Sequence, residues 1–444
     1  MKIAIVTAGG AGMFCGSCMQ DNTLARALRL AGADAVLVPT YTPIRVDEED
    51  VSTSQVFLGG VNIYLDSMVP GWRRLPGWMI HWLNRPSVLK FLTRFSSSTD
   101  AQQLGPLTLD MLKGIHGPQR REIHEFVDYL CQQLQPDVII FSNALLSGVL
   151  TELRSRFSGK ILCLLQGDDI FLEGLTEPWK QRVLQQLKSN CDSFDGFLTH
   201  SRYYRDFMSA YLQLSPDRFA QIPLTIDVAH IPFPAAAAES PLQAEVSTKT
   251  PEQRRFNIGY FARICREKGV HRLLAAAAEV LPEFPNVELT LAGYLSPAGI
   301  SWFENELAAV RKMAPGRIHW CGSPETREQK FEIIQDFDLL CIPTEYQEPK
   351  GLYVLEAAAV GVPALLPQHG AFPELVEQLQ VGQLFQGSTS ELAESLRKLI
   401  RQHSESGSPA HRQQLRESVC RSFGIEATST RILSAIKSLC ENQP

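Results

Sequence analysis

The stretch Asp338 to Gln368, DLLCIPTEYQEPKGLYVLEAAAVGVPALLPQ, decides the fold. It reads as a buried strand, a loop, a helix of small residues and a second buried strand. Within it EPKGLYVLEA carries two carboxylates, Glu348 and Glu356, eight positions apart. On one continuous helix that spacing is just over two turns and places both on one face. Pro349 and Gly351 argue for another geometry. Glu348 then sits in the loop, the backbone N–H groups of Lys350, Gly351 and Leu352 open the helix, and Glu356 lies a turn or more inside it. A helix N-terminus attracts anionic or oxygen-rich ligands. Two carboxylates beside it can grip vicinal hydroxyls, so the combination suits a sugar joined to a phosphate. The plainer alternative is a surface loop with two solvated glutamates.

Outward from this stretch the same alternation repeats. Upstream lie FNIGYFAR (from Phe256), VELTLAGY (from Val287) and RIHWCG (from Arg317); helices are expected at Val270 to Leu281, Trp302 to Met313 and Gln329 to Gln335. GQLF, from Gly382, adds a short strand. A first series comprises Ile3 to Thr7, a helix from about Ser17 to Leu30, AVLVP, PDVIIFSN (from Pro136), KILCLLQG (from Lys160) and FDGFLTHS (from Phe194). AQIPLTID, ending at Asp227, closes that unit. Strands alternating with helices mean an α/β chain with parallel sheets. The expected division is residues 1–231 as a first Rossmann-like domain, 232–255 as a Pro- and Ala-rich linker, 256–410 as a second Rossmann-like domain, and a helical segment 411–444.

A family resemblance joins these observations. Glu, seven residues, Glu, with P-x-G-L after the first and an LEA core, followed by GVPALL and GAFPELVE, resembles the retaining glycosyltransferases of family 4. The resemblance implies the GT-B architecture, two Rossmann-like domains facing a central cleft, with the end of the helical segment 411–444 a candidate to cross back onto the first domain. It also implies a nucleotide-diphosphate sugar as donor, retention at the anomeric carbon, and no metal or other cofactor. In FARICREKG a strand delivers Arg263 at its carboxyl end and Lys268 five residues on, where two cations can hold a diphosphate. This is similar to the family's G-R-L-x-x-x-K-G element, with Ala262 in place of the glycine. By that resemblance Arg263 and Lys268 stabilise the leaving diphosphate, Glu348 and the Lys350–Leu352 amides hold the sugar, and Glu356 holds the ribose. Gly293, closing LAGY, permits a close backbone approach on the donor side.

The first domain opens with GGAGMFCGSC. Its glycines let backbone amides approach a phosphate or sugar, so Gly10 and Gly12 are donor-binding candidates from a loop facing the donor across the cleft. It is no dinucleotide fingerprint, because position 15 is Cys15 where G-x-G-x-x-G needs glycine. Cys15 and Cys18 form C-x-x-C at a helix start, a context that lowers a thiol's pKa; packing is the plainer reading, and no further ligands complete a zinc site. LLQGDD, from Leu164, stands where the family has an H-G-x-D or H-D element. Gln166 replaces the histidine, and Gln166 and Asp168 are the acceptor-side candidates. An amide cannot act as a base, but retaining transfer can pass the acceptor's proton to the leaving phosphate oxygen. HSRYYRDF, from His200, resembles the family's S-x-x-x-x-x-F helix start. Glu345 reads as solvated or ion-paired, and Asp336 and Asp338 as a solvated helix-to-strand turn.

Composition bounds the rest. A chain of 444 residues, 44 % hydrophobic, is long enough for two or three domains. A net charge of −6 argues against a nucleic-acid binder driven by overall charge. Ten scattered cysteines read as reduced thiols, and the N-terminus reads as a buried strand rather than a signal peptide, so the expected location is cytoplasmic. Residues 69–95 mix Trp72, Trp78 and Trp82 with Arg and Lys, but Pro70, Pro76 and Pro86 break them. They read as an insertion over the acceptor site, with peripheral membrane contact as the second reading. The functional expectation is a glycosyltransferase acting on an unidentified acceptor. Other readings are a non-catalytic nucleotide-sugar-binding protein and a GT-B-like sugar-nucleotide epimerase; a dinucleotide oxidoreductase leaves the Glu348 stretch unexplained.

Overall fold

Twelve strands and the helices between them are described in a computed structural model covering residues 1–9, 15–58, 104–233, 255–379, 382–402 and 408–442. Strands β1 (Lys2–Thr7), β2 (Asp34–Pro39), β3 (Val138–Phe141), β4 (Lys160–Leu164), β5 (Gly196–Thr199) and β6 (Phe219–Gln221) form one sheet in the order β2-β1-β3-β4-β5-β6. Strands β7 (Phe256–Phe261), β8 (Val287–Ala292), β9 (Ile318–Trp320), β10 (Leu339–Cys341), β11 (Ala364–Pro367) and β12 (Gln383–Phe385) form the other, ordered β12-β11-β10-β7-β8-β9. Every pairing in both sheets is parallel. Parallel strands are covered by helices on both faces, so they are apolar along their length, as Ile3 to Val6 and Ile139 to Phe141 are, all with no exposure.

Each sheet reverses its winding once. In the first, the chain leaves β1 for β2 on one side and returns to place β3 on the other. In the second it runs outward through β8 and β9, then returns to place β10 against the opposite edge of β7. Ligands of open α/β sheets bind beyond the carboxyl ends of the strands at such a reversal. The topology therefore nominates two places, after β1 and β3 and after β7 and β10.

The chain forms two compact units: residues 1–225 with 428–444, and residues 226–427. The first unit ends at Thr225 rather than at 231. Ile226 already pairs in the second unit, donating its N–H to Phe423 O at 2.9 Å and accepting from Ile425 N at 3.0 Å. Arg416 adds bonds to Val228 O and Ile231 O, both at 3.2 Å. The helix Pro409–Phe423 belongs to the second unit, while the next, Ile425–Asn442, joins the first from Thr428 onward. There Thr428 Oγ1 meets Thr225 Oγ1 at 2.6 Å, and Leu439 packs on Gly196 of β5. Residues 69–95 and nearly all of 232–255 lie outside the described residues. Among the described residues no helix is long and apolar enough to cross a membrane.

Candidate functional site

The second unit's reversal is built by two loops locked to each other. After β7 come Ala262 and Arg263, then a tight turn at Arg266–Lys268. Tyr260, buried in β7, donates its hydroxyl to Arg263 O at 3.0 Å and Lys268 O at 3.4 Å. Gly269 has φ +72°, and a Cβ there would lie 1.8 Å from Pro343 O. Only glycine lets this turn lie against the chain leaving β10. Glu345 N then donates to Glu267 O at 2.9 Å, so the two loops share a backbone hydrogen bond.

That contact brings Lys268 to Glu348. Their side chains meet at 2.6 Å, with 11 % and 5 % exposed. The same carboxylate oxygen accepts from Tyr353 OH at 2.9 Å and Tyr346 OH at 3.1 Å. Lys268 Nζ also lies 4.7 Å from the Tyr346 ring centre and 4.8 Å from that of Tyr353, within cation–π range. Burial pushes the Glu348 carboxyl up, but Lys268 and the two hydroxyls outweigh it and hold the group below its usual range. Burial, followed by the Glu348 charge, pushes both phenols well above theirs. The carboxylate is therefore ionised, and both phenols are neutral donors at neutral pH.

Glu348 is backed by the GAFPELVE element. Ala371 N donates to Glu348 O at 2.8 Å. Gly370, at φ +61°, approaches so closely that a Cβ would stand 2.6 Å from Glu348 N and O. Gly351 caps the helix Leu352–Ala359 at φ +77°. Glu356 lies inside that helix, 7 % exposed, and pairs at 3.0 Å with Lys330 of the helix Arg327–Gln335. Lys350 is also buried, at 8 %. Arg263 differs from all of these: it is exposed and makes no ion pair with a carboxylate among the described residues. Gly293, at φ +138°, would place a Cβ 1.9 Å from Ala262 O. Its close approach is to the chain's own backbone beside Arg263. The arrangement is an open guanidinium beside a buried lysine–glutamate pair, next to a helix that opens with backbone N–H groups. It can receive a multiply charged anion at one end and hydroxyls at the other.

The first unit's reversal holds a buried polar cluster. Gln166 Nε2 donates to Asp21 Oδ1 at 2.7 Å, joining the loop after β4 to the helix Gly16–Leu30. Asp168 accepts from Ala144 N at 2.6 Å and Gln166 N at 3.1 Å, and Asp169 accepts from Tyr204 OH at 2.5 Å. Burial raises Asp168 against those two backbone bonds, with Asp169 adding to the rise, to a pKa of about 6. The unfolded carboxyl ionises near 3.8. The folded state thus binds this proton more tightly. Its contribution to stability is full below about pH 4 and is lost as pH rises through about 6, on the order of 3 kcal/mol. Denaturant melts of wild type and Asp168→Asn should therefore diverge over this window, the variant gaining relative stability as pH rises. A pH-independent difference would refute the assignment.

Several expectations change. Gly10 and Gly12 lie outside the described residues. Cys18 is not activated by its helix start: its neighbour Cys15, then burial, push the thiol far above its usual range. Asp336 and Asp338 do form the turn between the helix Arg327–Gln335 and β10, with Asp336 exposed, but both are also paired. Asp336 takes a two-pronged contact from Arg255 at 3.1 Å and Asp338 accepts Asn257 N at 2.8 Å, pinning the start of β7. Two readings hold: Glu345 is ion-paired, with His271 at 3.1 Å, and the HSRYYRDF stretch starts a helix, Arg202–Leu212, capped by Ser201 Oγ through Tyr204 N at 3.2 Å. Sequence reading missed Tyr346, Tyr353, Lys330 and Asp21. Only Tyr346 and Tyr353 carried a signal, as aromatics within five residues of Glu348.

Residues 244–418 match the family model for glycosyl transferases group 1. A D-inositol 3-phosphate glycosyltransferase from Corynebacterium jeikeium is 31 % identical over 146 residues, 32 % of this chain and 35 % of that protein. The chain thus spans about a third of the length of this curated relative. Among solved structures, the sucrose-phosphate synthase of Thermosynechococcus elongatus superposes with a TM-score of 0.68 at 18 % identity, covering 99 % of both chains. The Anabaena protein HepE, solved in complex with UDP and glucose, gives 0.64 at 16 % identity over 99 % of this chain and 100 % of its own. These likenesses give the fold, GT-B. The match to the glycosyl transferases group 1 model falls within the second unit, residues 226–427.

Proposed function

We propose that the protein transfers a sugar from a nucleoside diphosphate to an acceptor hydroxyl, with retention at the anomeric carbon. The observation that supports this reading is the buried Lys268–Glu348 pair at the β7–β10 reversal, where a parallel sheet binds its ligand, with Arg263 five residues before Lys268 on the same loop. Arg263 offers a planar fork to the diphosphate and Lys268 a point charge; both oppose the negative charge that grows on the leaving group. Glu348, ionised and fixed through one oxygen, presents its other oxygen to sugar hydroxyls. Glu356 and the N–H groups at the head of its helix hold the ribose and the sugar. Gln166 directs its amide N–H groups to Asp21 and, more distantly, Ser142 O, so it supplies no base. The acceptor proton passes instead to the leaving diphosphate oxygen. A resident metal is not required by this arrangement of cations.

The test is calorimetric titration of the full chain with UDP, GDP and ADP and their glucose conjugates, followed by assay for nucleotide release. Acceptors to try first are polyol and sugar phosphates, since the inositol-phosphate and sucrose-phosphate enzymes above are named for such compounds. The expected outcome is selective binding of one nucleotide, weakened in Glu356→Ala, and a product with the donor's anomeric configuration. A folded protein that binds none of them and releases no nucleotide with any acceptor would overturn the proposal.

A further inference from the structure

The helix Gly16–Leu30 begins with two cysteines that the proposed transfer does not use. Cys15 is its N-cap, in extended conformation at φ −108° and ψ 122°, and its carbonyl accepts Met19 N at 2.9 Å. Its side chain makes no capping hydrogen bond. Cys18 is the third residue of the helix. In a capping box the N-cap side chain reaches the backbone N–H of the third helical residue, and that residue's side chain reaches back to the N-cap N–H, so the two side chains flank one turn. Residues so spaced have Cα atoms about 5 to 6 Å apart, inside the range a disulfide spans.

The two thiols differ in access. Cys15 is half-buried, while Cys18 is 3 % exposed and accepts a hydrogen bond from Thr7 Oγ1 of β1 at 3.9 Å. All ten cysteines are free thiols, and this pair alone has C-x-x-C spacing. Among the described residues no three His, Cys, Asp or Glu side chains form a metal cluster.

We propose that Cys15 and Cys18 are a redox pair that closes reversibly to an intramolecular disulfide by exchange with a small-molecule disulfide. The accessible Cys15 reacts as thiolate, favoured by the helix N-terminus, on one sulfur of the incoming disulfide; that S–S bond breaks and one small thiol leaves. Cys18, deprotonated as it reacts, attacks Cys15 Sγ in the mixed disulfide and expels the second small thiol. Two protein thiols are oxidised and one external disulfide is reduced to two thiols. Cys18 is suited to the resolving role, because its contact with Cys15, then burial and the Asp21 charge, keep it protonated until the mixed disulfide forms.

Trypsin releases Ile3–Arg26, a peptide holding Cys15 and Cys18 and no other cysteine. The full chain is equilibrated in glutathione buffers of increasing oxidised fraction, quenched in acid, alkylated and digested. The expected result is a peptide that passes from two alkyl groups to none and loses the mass of two hydrogens. Dithiothreitol should restore it. Cys18→Ser should trap glutathione on Cys15, and Cys15→Ser should leave Cys18 unmodified. The proposal is overturned if wild-type Cys15 retains glutathione while Cys18 stays alkylatable. It is equally overturned if both remain alkylated where the exposed Cys321 is already glutathionylated. The readout is a peptide mass, so it stands apart from any assay of sugar transfer.

Discussion

Lys268→Met is expected to destabilise the second unit by about 3 to 5 kcal/mol, since removing one partner of a buried pair strands the other's charge. Glu348 would keep two tyrosine hydroxyls and lose its cation. Turnover should fall on the order of 100- to 1000-fold, the scale for losing one preorganised charge at a developing anion. The pH dependence has a definite sign. In the wild type Glu348 ionises below its usual range, so its contribution is present at neutral pH and lost only as pH falls through the lowered folded value. Without Lys268, burial dominates, and the loss moves to higher pH. Urea melts of Lys268→Met, Glu348→Gln and the double variant decide the matter. The double variant should regain stability over Lys268→Met but not turnover. A single variant that melts like wild type would show that the pair contributes nothing.

Arg263→Ala should behave in the opposite way. The side chain is exposed and pairs with no carboxylate among the described residues, so its removal should change stability by no more than about 0.5 kcal/mol. Nucleotide binding and kcat/KM together should drop on the order of 100- to 1000-fold, because a two-pronged, charge-assisted contact to phosphate is lost. Arg263→Lys keeps the charge without the fork and should recover only part of the loss. Calorimetry against the preferred nucleotide, with a thermal melt as control, is sufficient. Unchanged nucleotide affinity in Arg263→Ala would remove this residue from the site.

The strands were legible because both sheets are parallel and covered on both faces, so each strand is an apolar run that neighbouring helices cannot mimic at that length. The helix Thr389–Arg401 went unread, although the Ser388–Glu391 capping box that starts it is a local sequence signal. Of the candidate site, Arg263, Lys268, Glu348 and Glu356 were legible because they lie in short spans around single turns. Their partners were not. Lys330 reaches Glu356 from a helix 26 positions away, and Asp21 reaches Gln166 across 145. Such pairings depend on strand order, which a local pattern does not encode. The partners of Asp336 and Asp338 were missed for the same reason: Arg255 and Asn257 are 81 positions distant.

The hydrogen bond from Glu345 N to Glu267 O and the seat of Gly269 against Pro343 O make the two loops a single module for anyone redesigning the protein. A segment grafted from a homologue at 343–348 alone would arrive without the turn it was shaped to fit. The same holds for a graft at 263–269. Libraries aimed at a new donor should therefore recombine both segments from one parent. Within the module, diversity is better placed at Arg266, whose exposed side chain turns away to lie over Trp302, a residue of neither loop.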